Sequence, residues 1–432
     1  MRRSDPGARP VRGQVRYGPQ VPGTGLPVLD ELVEVFADAA RSPRQMPPGG
    51  GPGLLGATCG YWERRGLAVE EQHVVAAPGA GSFLIAFDTL LGGDVLLPRP
   101  CPAHWAPQVR LLGRPAFPVP TPAESGGVPD PYALLETVRR LRAEGRDPKL
   151  LVLCVADDPT ATVPPPEQVH ETLEAAVSEG LHIVSDETWR DTLHHPDDTV
   201  FISPAEMLPP HVTVISDLSG AFLPPSWPAA VARFPATGLG TALRARTLDV
   251  LTALGATLAT PVAAAAAHAL EESPWVTRRM LDSAHLHARV AAELGRAVAA
   301  TGVLVRPPQA GRHLYADLAP LRGALDRHGV GDAQELEDFL ESQLGMPAPG
   351  GHRFGDDPAS LRVRLSTGPL LGRTDAERAQ CLTAADPLTL PAVRRSLSAV
   401  RQTFTALAAD DGPPAVPGTS PRTPGPALLD GE

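Results

Sequence analysis

The sequence predicts an α/β protein, a mainly parallel sheet with helices on both faces, followed by a smaller C-terminal α+β region. Two observations point there. Between residues 71 and 217, short apolar runs alternate with longer segments of helical spacing, the rhythm of strands joined through crossover helices. From Thr237 to about Thr301 the chain turns helical and alanine-rich, and a mixed set of short strands and helices closes it.

Taken in order, "LPVLDELVEVFADAARS" has helical apolar spacing, and "GATCGYWERRGL" reads as a second helix closing at Gly66. "HVVAAPGAG" is a strand running into a turn, with "SFLIAFDTLLGG" the helix behind it. "DVLLPRP", "PAFPVP", "LLVLCVADDP", "LHIVSDETW" and "HVTVISDLS" are further strands. The helices between them are "PAHWAPQVRLLG", "DPYALLETVRRLRAEG" and "PEQVHETLEAAVSEG", the last with proline at its start. "SPWVTRRMLDSAHLHARVAAELGRAVAATG" predicts one long helix. Beyond it come "VLVRPPQAGRHLYADL", the helix "DAQELEDFLESQLG", the strand "LRVRLST" and a final helix "SLSAVRQTFTALAAD". These patterns divide the chain into a Pro/Gly/Arg-rich disordered segment (1–22), a helical segment joining the small domain (23–70), a large α/β domain (71–275), a small α+β domain (276–409) and a disordered Pro/Gly-rich tail (410–432).

At 432 residues with 43% hydrophobic side chains, the chain can fill two cores or one large one. The net charge of −11, with no dense basic run, excludes a phosphate-tracking nucleic-acid surface. No twenty-residue apolar span exists, and "MRRSDPGARPVRG" lacks a signal-peptide core, so a cytoplasmic protein without a membrane segment is expected. The cysteines 59, 101, 154 and 381 lack CxxC spacing and read as free thiols rather than disulfides or a zinc site. Lys149 is the single lysine of the chain.

In open α/β sheets ligands bind beyond the carboxyl ends of the strands. Those ends read "APGAG", "PRPCPAHW", "ADDPTATV", "SDETWRD" and "SDLSGAF". In this order, from about Leu26 to Ala408, they resemble the class I/II aminotransferases, the fold type I pyridoxal-phosphate enzymes. "DDPTATVPPPE" is similar to the family's Asn-Pro-Thr-Gly segment and "VSDETWRD" to its Asp-Glu-x-Tyr segment. "SDLSGAFLPPSWPAAVA" is similar to the segment that carries the Schiff-base lysine. "GRHLYADL", "GGHRFGDD" and "RVRLSTG" resemble the family's small domain. The resemblance implies a seven-stranded large-domain sheet, pyridoxal phosphate as cofactor and a dimer.

Carried over residue by residue, the resemblance puts Gly220 at the lysine, so no catalytic residue is assigned. Lys149 lies just before "LLVLCVADDP", about eight residues or roughly 25 Å at ~3.3 Å per residue from that strand's carboxyl end, and reads as a solvated surface residue. Any cofactor is therefore held without a covalent bond. Asp186 takes the place of the acid that protonates the pyridine nitrogen, or it caps the turn that follows its strand. Asp158 and Trp189 replace the asparagine and tyrosine that hold the ring oxygen, and both weaken that contact. Gly79, Ala80, Gly81 and Ser82 form a helix start able to cradle a phosphate, and Ser219 adds a hydroxyl. The phosphate-binding arginine corresponds to Pro228, its flanking glycines to Ser226 and Ala230, and Arg233 reads as the rim of the next strand. The ring-stacking aromatic corresponds to Pro102, with His104 nearby and Trp105 packing on the core. Arg364 takes the place of the arginine that grips a substrate carboxylate, or it is an exposed strand arginine alternating with Arg362. His194, His195 and His313 have no metal-ligand spacing, and Ser219 has no triad partners.

Two readings follow. One is a family member that no longer runs imine chemistry and acts as a binding or partner subunit, a homodimer or a heterodimer with a related chain, with a small amino or carboxylate compound as its candidate ligand. The other is an enzyme acting on an amino acid or amine with non-covalent pyridoxal phosphate or pyridoxamine phosphate. A third, an unrelated activity in the emptied cleft, stays open because fold does not fix function.

Overall fold

Seven short strands build the larger sheet: Val74–Ala77 (β1), Asp94–Arg99 (β2), Ala116–Pro120 (β3), Pro148–Cys154 (β4), His182–Asp186 (β5), Val212–Asp217 (β6) and Ala230–Arg233 (β7). Their order across the sheet is β1-β7-β6-β5-β4-β2-β3. The neighbours from β3 to β6 all pair parallel, and β7 alone runs antiparallel, to β6 and β1. These observations come from a computed structural model that describes residues 25–122 and 126–410. The expected disordered segment 1–22 lies outside the described residues, as does the expected tail apart from Asp410, which ends the last helix.

Both faces of this sheet are covered, and β4 shows how. Leu151 and Leu153 point into a core shared with Asp30–Ala39 (α1), Pro52–Glu63 (α2), Pro131–Ala143 (α5), Pro166–Ser178 (α6) and Thr260–Glu271 (α9). Leu150, Val152 and Cys154 point into the opposite core, shared with Ala80–Leu91 (α3), Trp105–Leu111 (α4) and Gly238–Ala253 (α8). The alternation is the two-residue period of a strand, and each fully buried leucine contributes about 1.5–3 kcal/mol. Local chemistry sets the helix starts. Asp130 accepts from the Ala133 amide ahead of α5, and Ser203 forms a capping box with Glu206 on the short helix Pro204–Met207 (α7).

The helices of segment 23–70 pack into the larger sheet's core through Leu32, Leu54, Tyr61 and Trp62. Leu26, ahead of them, packs against the second core. That core lies around a three-stranded antiparallel sheet of Leu304–Val305 (β8), His313–Asp317 (β9) and Arg362–Ser366 (β10), in the order β10-β9-β8. It takes side chains from Pro274–Ala299 (α10), Arg322–Arg327 (α11), Ala333–Leu344 (α12), Asp375–Thr383 (α13) and Pro391–Asp410 (α14).

Three expectations need correction. The strand read as "LLVLCVADDP" is β4, which starts two residues earlier and stops at Cys154, because the backbone of "DDPTATV" turns to hydrogen-bond with itself. Lys149 therefore lies inside β4, at its amino end, where it is half-exposed and pairs with Asp147 at 3.0 Å. Arg233 is not at the rim on the ligand side. Because β7 is reversed, its last residue pairs with Val74 and Val214 near the amino ends of β1 and β6, and it is buried there.

Candidate functional site

The carboxyl ends of β1, β4, β5 and β6 converge, and the loops leaving them line a cavity of about 550 Å³. This is where open α/β sheets present ligand sites. The second sheet supplies the facing wall through His313 of β9 and Arg364 of β10. Gly79, Ala80 and Gly81, at the start of α3, line this cavity. So do Asp158, Asp186, Trp189 and Ser219, which meet at one place, whereas Ser82 of the same helix start does not line it. Pro102 and His104 also reach it, whereas Trp105 is buried against the core. His194 turns away, bonding the Pro308 and Gly311 carbonyls.

The start of α3 carries main-chain N–H groups with no partner inside the helix, and Gly79 reaches the required turn with φ of +103°. Its Ala80 amide donates to Oδ2 of Asp217 at 3.0 Å. Oδ1 of the same carboxylate accepts from the Ser219 amide at 3.0 Å and from the Ser219 hydroxyl at 2.6 Å. The protein's own aspartate thus stands at the helix start, where an anion is favoured by the exposed amides and the helix dipole.

One strand over, Asp186 accepts from the Thr188 amide (3.0 Å) and hydroxyl (2.6 Å). The Thr188 hydroxyl in turn accepts from the Asp217 amide, tying the ends of β5 and β6 together. Burial, reinforced by Asp217 and Asp158, pushes the Asp186 carboxyl up to about 7 against the pull of its Thr188 hydrogen bonds. Asp158 behaves differently. Its burial is outweighed by Arg364, whose Nη1 donates at 2.7 Å, and by His313 and His104, so its carboxyl is held below the ordinary range. Arg364 stacks on Phe354 at 4.9 Å and is already engaged by Asp158. His313, edge-on to Trp189, is driven down to about 4 by burial and stays neutral.

Gly220 follows β6 beside this cavity. A Cβ added there would lie 2.0 Å from the Thr188 carbonyl oxygen, and the Gly220 carbonyl accepts from Nη2 of Arg312 at 2.8 Å. Burial and Arg279 lower the Arg312 guanidinium to about 10. Asp217, Thr188 and Arg312 were not singled out from the sequence. Asp217 had a signal, an acid ending a strand three residues ahead of Gly220; Arg312 had none, because only the fold brings β9 to that turn. Among the described residues no group of three or more His, Cys, Asp or Glu could hold a metal ion. All four cysteines are free, three of them buried. No helix among the described residues is long and apolar enough to cross a membrane.

A doubly covered, mostly parallel sheet with a ligand cavity at its strand ends and a small α+β companion defines the class as fold type I. The fold matches solved structures at low identity. An aspartate aminotransferase from Thermus thermophilus with maleate superposes with a TM-score of 0.67 at 22% identity, covering 82% of this chain and 86% of that one. An aromatic aminotransferase from Pyrococcus horikoshii gives 0.70 at 16% identity, covering 89% and 94%. The model of the aminotransferase class I and II family matches residues 27–369, and the chain belongs to that family. Among curated relatives, a probable aspartate/prephenate aminotransferase of Thermus aquaticus is 30% identical over 185 residues, 42% of this chain and 46% of the relative. The aspartate/prephenate aminotransferase of Thermus thermophilus is 30% identical over 212 residues, 47% and 53%. The chain spans about half the length of the curated relatives it matches.

Proposed function

We propose that this chain is an aminotransferase-family protein that does not form an imine with pyridoxal phosphate and serves as a ligand-binding or partner subunit, as a homodimer or on a related chain, in the cytoplasm. One observation carries this reading. The backbone at Gly220, the position matched to the family lysine, is packed against the Thr188 carbonyl so closely that even a methyl group collides. The position is therefore closed as well as empty. No other lysine is at hand, since Lys149, the chain's one lysine, is at the far end of β4.

The residues present also fit the phosphorylated cofactor poorly. Asp217 brings a carboxylate to the α3 amides, and a phosphate there would meet like charge. The Ser219 hydroxyl donates to that same carboxylate, and Pro228 offers no cation. Asp186 is the observation that favours non-covalent binding instead, because a buried carboxyl at the end of β5 is what a pyridine nitrogen needs. A single measurement separates the two readings. Purified protein is titrated with pyridoxal phosphate and with pyridoxamine phosphate, following absorbance and heat. We expect no imine band and no binding at millimolar ligand; a tight complex with either compound would refute the proposal.

A further inference from the structure

We propose that the cavity at the strand ends binds a small primary monoamine as its ammonium ion, seated between Asp186 and Asp217, in place of a phosphorylated coenzyme. The inference rests on the reading that no coenzyme occupies this cavity, and it can fail while that reading stands.

Charge is the first argument. Three carboxylates line the cavity, and among the described residues only Asp158 has a cationic partner, Arg364. Arg353, which also lines it, is held by Glu337. Among the described residues, Asp186 and Asp217 receive side-chain hydrogen bonds only from neutral donors, namely Thr188, Ser219 and the Ala80 amide. Two carboxylates on neighbouring strands without a counter-ion favour a cation between them.

An unsatisfied acceptor is the second argument, and it is independent of the first. Oε1 of Gln108 lies on the cavity's wall, is buried and has no hydrogen-bond partner among the described residues, whereas Nε2 of His313 faces Oδ1 of Asp158 at 3.5 Å. A buried polar atom without a partner costs about 1–3 kcal/mol, so a ligand rich in donors is favoured here. An ammonium offers three N–H donors and no acceptor, the complement of Asp186, Asp217 and Oε1 of Gln108, though not of Nε of Arg364, a buried donor on the same wall without a partner among the described residues. Trp189, Phe354, Pro102, Pro349 and Pro369 give the rest of the wall an apolar character suited to a hydrocarbon or aromatic body.

Arg312, beside Gly220, also lines the cavity and has no carboxylate partner among the described residues. It makes a zwitterion the competing ligand, and the test is built to discriminate. Calorimetric titration of the full chain uses tyramine, its alcohol analogue tyrosol, and tyrosine. Tyramine is expected to bind at least about tenfold tighter than tyrosol, and Asp217→Asn and Asp186→Asn are each expected to weaken it about fivefold or more. Equal binding of tyramine and tyrosol, or no tyramine binding at millimolar concentration, overturns the proposal. Tighter binding of tyrosine than tyramine overturns it too, because a carboxylate would then be docking on Arg312. If either variant fails to fold, the comparison of the three ligands on the unaltered protein decides alone. An imine band with pyridoxal phosphate refutes the underlying reading instead, and that absorbance is a separate readout.

Discussion

At Gly220 a missing side chain and a packed backbone are different facts with different consequences. A missing amine is repaired by supplying one; a closed position is not. Because a Cβ would stand 2.0 Å from the Thr188 carbonyl, any larger residue must move the turn after β6 or the Thr188 loop, and Arg312 holds that turn by the Gly220 carbonyl. Overpacking of this kind costs about 1–3 kcal/mol. Gly220→Ala is therefore expected to lower the free energy of unfolding by that amount in urea titrations. Gly220→Lys is expected to be destabilised further and to give no imine absorbance with pyridoxal phosphate. A Lys variant as stable as the parent that develops the imine band would show that the turn yields freely. The sequence alone displays the glycine but not the carbonyl above it, which comes from 32 residues earlier in the chain.

The same divide between local and distant partners runs through the elements. The strand-turn-helix at "APGAG" and the order of strands and helices were legible, because apolar periodicity and glycine turns are written in adjacent residues. The four-residue strand β7 was only glimpsed as a next strand: "AVAR" is too short to carry a period, and its place between β1 and β6 depends on both neighbours. Gly79, Ala80, Gly81, Asp158, Asp186, Trp189 and Ser219 from the strand ends, with Arg364 from the small domain, do share one cavity, yet their partners were hidden. Asp217 meets the α3 start across 137 residues, and Arg364 meets Asp158 across 206. A helix start of twelve-residue α3 should attract anions once its occupant is removed. Asp217→Ser deletes the charge and frees the Ala80 amide, so inorganic phosphate should bind at least about tenfold tighter than to the parent, ~1.4 kcal/mol, by calorimetry. Unchanged phosphate affinity would mean that Asp217 does not control the anion preference of this helix.

Across the whole molecule, buried acids and buried histidines set opposing responses to pH. Burial raises Asp88, Asp157 and Asp186 to about 7. It lowers His182 and His313 to about 4, and moves His287 well below its ordinary value. In an unfolded chain the acids titrate near 3.9 and the histidines near 6.5. Between those values the folded acids keep protons that the unfolded chain has released, so their contribution to stability is lost as pH rises from about 4 to about 7. The folded histidines lack protons that the unfolded chain binds, so their contribution is lost as pH falls from about 6.5 to about 4. The two sets oppose each other, and because burial also lowers His104, His194 and His352 the histidines outnumber the acids, so the parent protein's stability should fall more towards pH 4 than towards pH 7. Removing one member should expose the other side. Asp157→Asn should gain stability relative to the parent as pH rises from 4.5 to 7.5, and His182→Gln should gain relative to the parent as pH falls over the same range. Urea unfolding at intervals of half a pH unit reads both slopes directly, and two variants that run parallel to the parent throughout would show that these groups titrate alike in the folded and unfolded chain.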